Sequence, residues 1–242
     1  MKLVIDVGNT LTKLAVFEGS DMLYIHNSDH PDKAAIDEVF QKFEGIRTVI
    51  VGSVRHLPEN LHELFPEKVR LHILSSASRL PVSLDYDTPE TLGTDRIAAV
   101  VAANHLFPGK NVLVIESGTC ITYDLIDAGG VYRGGSISPG MGMRFKALNT
   151  FTDKLPLINP TREAALTGKS TETSIQSGVI NGMVAEMKGI IADYQGIYDN
   201  LTIILSGGNL DYFDKNLKNN IFAVPNIVIT GLRIIQEFND KN

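Results

Sequence analysis

The segment Asp6-Val7-Gly8-Asn9-Thr10-Leu11-Thr12-Lys13 gathers the groups that hold a phosphate chain. Asp6 is a hard oxygen ligand for Mg²⁺, and Lys13 is a point charge for an anion. Asn9, Thr10 and Thr12 are hydrogen-bond donors, and Gly8 lets the backbone come close to a ligand. The plain alternative is a hairpin turn that merely favours Gly and Asn. That alternative leaves an acid at a buried strand end and a turn-side lysine unexplained.

A second such segment, Glu116-Ser117-Gly118-Thr119-Cys120-Ile121-Thr122, lies at a constant offset of 110. On that offset Asp6 matches Glu116, Gly8 matches Gly118, Asn9 matches Thr119 and Thr12 matches Thr122. Two acid-x-Gly turns half a chain apart predict a duplicated domain with one phosphate loop in each half. Such loops facing each other across a cleft would hold a nucleoside triphosphate from both sides.

A second acid, Asp95, stands in Leu92-Gly93-Thr94-Asp95-Arg96, at the start of an alanine-rich run. It could be a complement to a helix dipole, or a base for a hydroxyl with Arg96 binding an anionic part of the acceptor. Gly134-Gly135-Ser136-Ile137-Ser138-Pro139-Gly140 reads either as a flexible helix entry or as a cleft wall of bare backbone. Gly207-Gly208 after a strand leaves room for a flat base. Thr171 reads as the N-cap of a long helix. Gly178 and Gly182 on that helix permit close packing, within or between subunits.

Other chemistries lack their motifs. Gly168-Lys169-Ser170 is no P-loop, because position 163 is Glu163 rather than glycine. Phe145 breaks the dinucleotide fingerprint after Gly140 and Gly142, and no G-x-S-x-G occurs. The six histidines show no metal spacing; His26 and His30 are four apart, but in a polar stretch ending at Pro31. Cys120 reads as a small buried residue rather than a nucleophile.

Apolar runs and their spacing supply the elements that must position these groups. Strands are predicted over 3–5, 14–17, 21–27, 48–51 and 69–74, with helices over 31–43, 58–65 and 91–106. The pattern then repeats with strands over 111–116, 120–126 and 131–137, helices over 141–149, 163–166 and 171–194, a strand over 201–205 and a closing helix over 225–238. The repeat places a domain boundary near residue 110, giving domains 1–110 and 111–242.

The 242 residues carry 43% hydrophobic and 21% charged side chains, ordinary for a soluble globular protein. A net charge of −6 argues against a nucleic-acid or anionic-membrane surface. The longest apolar stretch, Ile97 to Ala103, is too short to span a bilayer. The opening MKLVID has no signal-peptide core, and one cysteine fits a reducing compartment, so a cytoplasmic location is expected.

The ordered set DVGNTLTK, Tyr86 with LGTDR at 92–96, ESGTCITYDLID, GGSISPGM, Leu155-Pro156, GKST with IQSG at 175–178, and SGG at 206–208 resembles the type III pantothenate kinases. The resemblance runs across essentially the whole chain. It implies an α/β fold of two similar actin-like (ribonuclease H-like) domains with a nucleotide cleft between them. It also implies a homodimer that phosphorylates pantothenate with ATP and Mg²⁺, the first step toward coenzyme A. By this resemblance Asp6 to Lys13 hold the ATP phosphates and Mg²⁺, Thr119 touches ATP, and Gly207 and Gly208 adjoin its adenosine. Asp95 is the base. Tyr86, Gly93, Thr94, Asp95 and Arg96 line the pantothenate pocket, and Thr171 reaches it. The family has aspartate where this chain has Glu116, the position tied to a monovalent cation, K⁺ or NH₄⁺. A silent relative acting as a transcriptional regulator, or a kinase of another small acceptor such as a sugar or acetate, are the alternatives. The intact Asp6, Lys13, Asp95 and Arg96 speak against the silent relative.

Overall fold

The computed structural model describes residues 1–29, 33–209, 212 and 221–240. The chain divides into two compact units, Met1–Leu106 with Asn226–Asn242, and Phe107–Pro225. The break falls close to the expected 110, but the last helix returns to the first unit instead of completing the second.

The first unit contains β1 (Lys2–Val7), β2 (Thr12–Glu18), β3 (Asp21–Ser28), α1 (Lys33–Lys42), β4 (Thr48–Ser53), β5 (Arg70–Ile73), a two-residue strand β6 (Ser83–Leu84) and α2 (Thr94–Leu106). Its five-stranded sheet runs β3-β2-β1-β4-β5. The hairpin strands are antiparallel, and β4 and β5 run parallel to β1. Leu3, Ile5, Leu14, Val16, Val49 and Val51 pack with Ile36 and Val39 of α1. Val4, Ala15 and Ile50 alternate with them and are equally buried, so both faces are covered.

The second unit contains β7 (Val112–Ser117), β8 (Cys120–Ile126), β9 (Val131–Pro139), α3 (Met141–Thr150), α4 (Thr171–Ile197), β10 (Thr202–Ser206) and β11 (Ile221–Ala223). Its strands lie in the order β9-β8-β7-β10-β11, the order of the first sheet repeated. The directions repeat as well. Leu113, Ile115, Ile121 and Tyr123 pack against Phe145 of α3 and Ile175, Val179, Met183 and Met187 of α4. The closing helix, α5 (Ile227–Asp240), belongs to the first unit.

Three expected helices differ. Residues 58–65 form only a 3₁₀ turn, Leu61–Leu64, which ends where Pro66 holds Phe65 extended at φ −114°, ψ 150°. Residues 163–166 are not helical. The carbonyls of Ala165 and Leu166 accept instead from the side chains of Asn181 and Ser177 on α4. Helix α2 begins at Thr94 rather than 91, after a 3₁₀ turn Pro89–Thr91 and an extended Leu92. The short edge strand β11 was not anticipated. Pro31 and His30 lie outside the described residues. No helix among the described residues is long and apolar enough to cross a membrane.

Candidate functional site

In the first unit Asp6 faces Lys13 across the hairpin, and Val7 faces Thr12. The turn closes through Gly8 N–H donating to Leu11 O at 3.0 Å. Asn9, Thr10 and Leu11 are exposed, whereas Thr12 is fully buried and its hydroxyl has no hydrogen-bond partner among the described residues. Lys13 Nζ donates to Asn226 Oδ1 at 3.1 Å. Asn226 has φ +55° and its carbonyl accepts from Thr230 N, so it opens α5. No short-range pattern links positions 13 and 226, so this contact was invisible in the sequence.

Asp95 is brought to the same unit by α2. Thr94 Oγ1 donates to Ser53 O at 3.0 Å, which ties the start of α2 to the end of β4. Ser53 lies beside Val7 in the β1–β4 register. Asp95 Oδ1 folds back to accept Arg96 N–H at 2.8 Å. A Cβ at Gly93 would stand 2.5 Å from that oxygen, so glycine makes room for this conformation. Arg96 is buried. Tyr86 is half-buried in the loop before α2.

The two carboxyls share an electrostatic environment. Burial pushes Asp6 up from 3.8 to about 6, with Lys13 opposing and the Asp95 charge adding to the rise. Burial also raises Asp95, against the hydrogen bond and charge of Arg96. A carboxyl raised by lost hydration accepts a proton more readily and attracts a cation.

In the second unit Glu116 is half-buried and faces Thr122, and Ser117 faces Ile121. The turn closes through Gly118 N–H donating to Cys120 O at 2.8 Å. The first turn is therefore one residue longer, and the match of Thr12 with Thr122 fails in space. Thr12 corresponds to Ile121, and Lys13 to Thr122. Cys120 is half-buried rather than buried, with Sγ 3.9 Å from Met143 Sδ.

Backbone supports the second turn from two sides. Gly140 N–H donates to Thr119 O at 3.1 Å, and a Cβ there would stand 2.3 Å from Gly118 O. Gly207, at φ +98°, lies against Ser117, where a Cβ would meet the carbonyl oxygen at 2.3 Å. Asn209 N–H donates to Ser117 O at 3.1 Å. Gly207 and Gly208 thus stand beside the turn that carries Thr119.

Thr171 is exposed and is the first residue of α4, not its cap. Ser170 is the cap: its hydroxyl accepts Thr173 N–H at 3.1 Å, and Thr173 Oγ1 accepts Ser170 N–H at 2.9 Å. No group of three or more His, Cys, Asp or Glu that could hold a metal occurs among the described residues.

A sequence model of the family described as type III pantothenate kinase matches residues 2–193. The chain belongs to the type III pantothenate kinase family. A type III pantothenate kinase of Phocaeicola vulgatus is 45% identical over 242 residues, covering 100% of each chain. Among solved structures, a 2-dehydro-3-deoxygalactonokinase candidate from Sinorhizobium meliloti aligns with TM-score 0.65 at 14% identity, over 99% of both chains. MreB5 of Spiroplasma citri, bound to ADP, aligns with TM-score 0.55 at 12% identity, over 100% of this chain and 97% of that one. These likenesses carry the fold. Each unit of this family member is an actin-like α/β domain.

Proposed function

We propose that this chain transfers the γ-phosphoryl group of ATP to the primary hydroxyl of pantothenate, the first step of coenzyme A biosynthesis. The observation that carries the reading is family membership over the full chain, joined to Asp95, Asp6 and Lys13 in one unit. In this reading the segment Asp6, Val7, Gly8, Asn9, Thr10, Leu11, Thr12 and Lys13 binds the phosphates, with Thr119, Gly207 and Gly208 serving the rest of the nucleotide. Tyr86, Gly93, Thr94, Asp95 and Arg96, with Thr171, receive pantothenate.

Phosphoryl transfer asks the protein chiefly for positioning and charge neutralisation. Asp95 aligns the acceptor hydroxyl. As the oxygen–phosphorus bond forms and the bond to the leaving ADP breaks, the hydroxyl proton passes to the Asp95 carboxylate. The raised pKa of Asp95 suits that role. Lys13 Nζ, held by Asn226, offsets negative charge on the phosphates. Burial raises the pKa of Asp6 despite the opposing charge of Lys13, and a desolvated carboxylate beside a second acid fits Mg²⁺. Bound Mg²⁺ would neutralise phosphate charge there, taking most ligands from phosphate oxygens and water. Glu116 is our candidate for a monovalent-cation ligand, K⁺ or NH₄⁺.

A homodimer is part of the proposal. Its support is exposed apolar surface on the segment between α3 and α4, with Phe151 85%, Leu157 64% and Leu166 86% exposed. Gly178, Gly182 and Gly189 of α4 would meet nothing within 4 Å among the described residues if they carried a Cβ, so no described neighbour requires glycine there. Gly178→Leu should leave the monomer folded, because leucine has the higher helix propensity. It should abolish association and activity together; sedimentation showing an active monomer contradicts the dimer's role. We place the enzyme in the cytoplasm on its single cysteine.

The test of function is ADP release with pantothenate, sugars, acetate and no acceptor in turn. Pantothenate-dependent release with formation of 4′-phosphopantothenate is expected. Equal release without an acceptor, or with a sugar alone, would refute the assignment.

A further inference from the structure

Arg144 lies on α3, outside every residue assigned to substrate, yet Nε and Nη2 of its guanidinium are both engaged. Nε donates to Pro139 O at 2.7 Å, and Nη2 to Ser138 Oγ at 2.9 Å. Nη2 also meets Glu186 Oε2 of α4 at 2.5 Å. The other oxygen of Glu186 accepts the hydroxyl of buried Tyr123, on β8, at 3.0 Å. The charged pair is about four-fifths covered, at 21% and 25% side-chain exposure. Charge-assisted bonds of a fixed fork geometry hold orientation as well as energy.

What this clamp fixes is the corner between β9 and α3. Gly140 is that corner: it follows Pro139, and its carbonyl accepts Arg144 N–H at 3.1 Å. On its bare backbone rests the Gly118–Thr119 turn. The chain of contact therefore runs Glu186, Arg144, Pro139, Gly140, Thr119, wholly inside the second unit.

We propose that Arg144, held by Glu186, is a positioning residue for the second nucleotide turn and sets affinity for ATP without touching it. This rests on the assignment of Thr119 to ATP. Releasing the corner lets the turn drift while leaving Asp95 and Lys13, in the other unit, as they were. The effect falls on nucleotide binding rather than on acceptor binding.

The experiment compares Arg144→Met, which keeps an apolar stem, with Arg144→Lys and Glu186→Gln. Direct binding of a non-hydrolysable ATP analogue and KM for ATP and for pantothenate are measured well below each variant's Tm. Arg144→Met should weaken analogue binding and raise KM for ATP about 5–10-fold, with kcat and KM for pantothenate within about 2-fold. Arg144→Lys should recover part of the loss, since a point charge keeps Glu186 but not the fork. Glu186→Gln should cost less than Arg144→Met, since the amide oxygen still accepts. A lowered Tm with unchanged nucleotide affinity in all three would reduce the clamp to a structural role and overturn the proposal. A shift confined to pantothenate would also overturn it, because α4 rather than the turn would then be what the clamp serves. Failure of the underlying kinase reading is seen separately, as a wild type that neither binds the analogue nor turns over.

Discussion

The first hairpin turn closes from Gly8 N to Leu11 O, the second from Gly118 N to Cys120 O. Both follow an acid on the first strand of a sheet with the same strand order. The extra residue in the first turn changes what faces the acid: Lys13 stands opposite Asp6, and Thr122 opposite Glu116. A one-residue shift in a hairpin exchanges the two faces of the returning strand. The two scaffolds are alike, and one residue of turn length leaves only the first with a cation opposite its acid. The second turn is instead braced by Gly140 and Gly207. The proposed division of work follows from this difference: charge chemistry in the first unit, nucleotide positioning in the second.

Asp95 should break this symmetry most, because the second unit has no counterpart assigned to it. Asp95→Asn should keep the fold and most pantothenate affinity, since the amide can still hydrogen-bond. Turnover should fall by ~10²–10⁴-fold, toward the low end because a loose transition state needs a base less. Steady-state kinetics with direct pantothenate binding checks this; near-normal turnover removes Asp95 from the mechanism.

The sequence carried most of the fold because short apolar runs bounded by turns are local signals. Val4-Ile5 and Val114-Ile115 declare buried strands whatever follows them. The repeat was legible for the same reason, and the register up to Gly118 was right. The turn length was not, since Thr12 and Thr122 keep the same offset whether or not the strands pair alike. The return of α5 to the first unit was hidden too, because a helix sequence does not say which sheet it will cover. Asn226 and Arg144 were missed together: both act through contacts distant in sequence, to Lys13 and Glu186. Asp6 and Lys13 stood out as candidates because charged types at a buried strand end are costly unless partnered; Asp95, favourable at a helix start in any case, stood out only through its Gly93-Thr94 and Arg96 neighbours.

The Asp6 carboxyl supplies the next test. Its pKa is raised in the folded chain, from 3.8 to about 6, so the folded state binds the proton more tightly. Stability from this group is therefore fully present below pH 3.8 and is lost as pH rises through about 6. Asp6→Asn should flatten that part of the stability–pH curve, measured by denaturant unfolding in the absence of Mg²⁺ and nucleotide. Activity should run the other way, rising as Asp6 ionises through about pH 6. Raising Mg²⁺ should move that acid limb to lower pH, because cation and proton compete. A limb indifferent to Mg²⁺ would detach Asp6 from the metal.

The smallest expected effect is at Glu116. Glutamate carries its carboxylate about 1.5 Å further from the backbone than aspartate. That displacement should weaken the response to K⁺ or NH₄⁺, and Glu116→Asp should raise it by a few-fold at most. Initial rates against K⁺, NH₄⁺, Na⁺ and a bulky organic cation at constant ionic strength separate binding from screening. Identical profiles for both forms would mean that other groups hold the ion.

The exchange of Lys13 and Thr122 bears most directly on the division of work between the hairpins. Lys13→Thr gives the first hairpin the residue of the second, and Thr122→Lys does the reverse. With kcat/KM for ATP measured in each, the account predicts a fall of about 10²-fold for Lys13→Thr, the scale for losing one charge-stabilising donor. Thr122→Lys should change the rate by less than a few-fold and should not rescue the loss when the two are combined. A Lys13→Thr enzyme that keeps its turnover, or a rescue by Thr122→Lys, would contradict it.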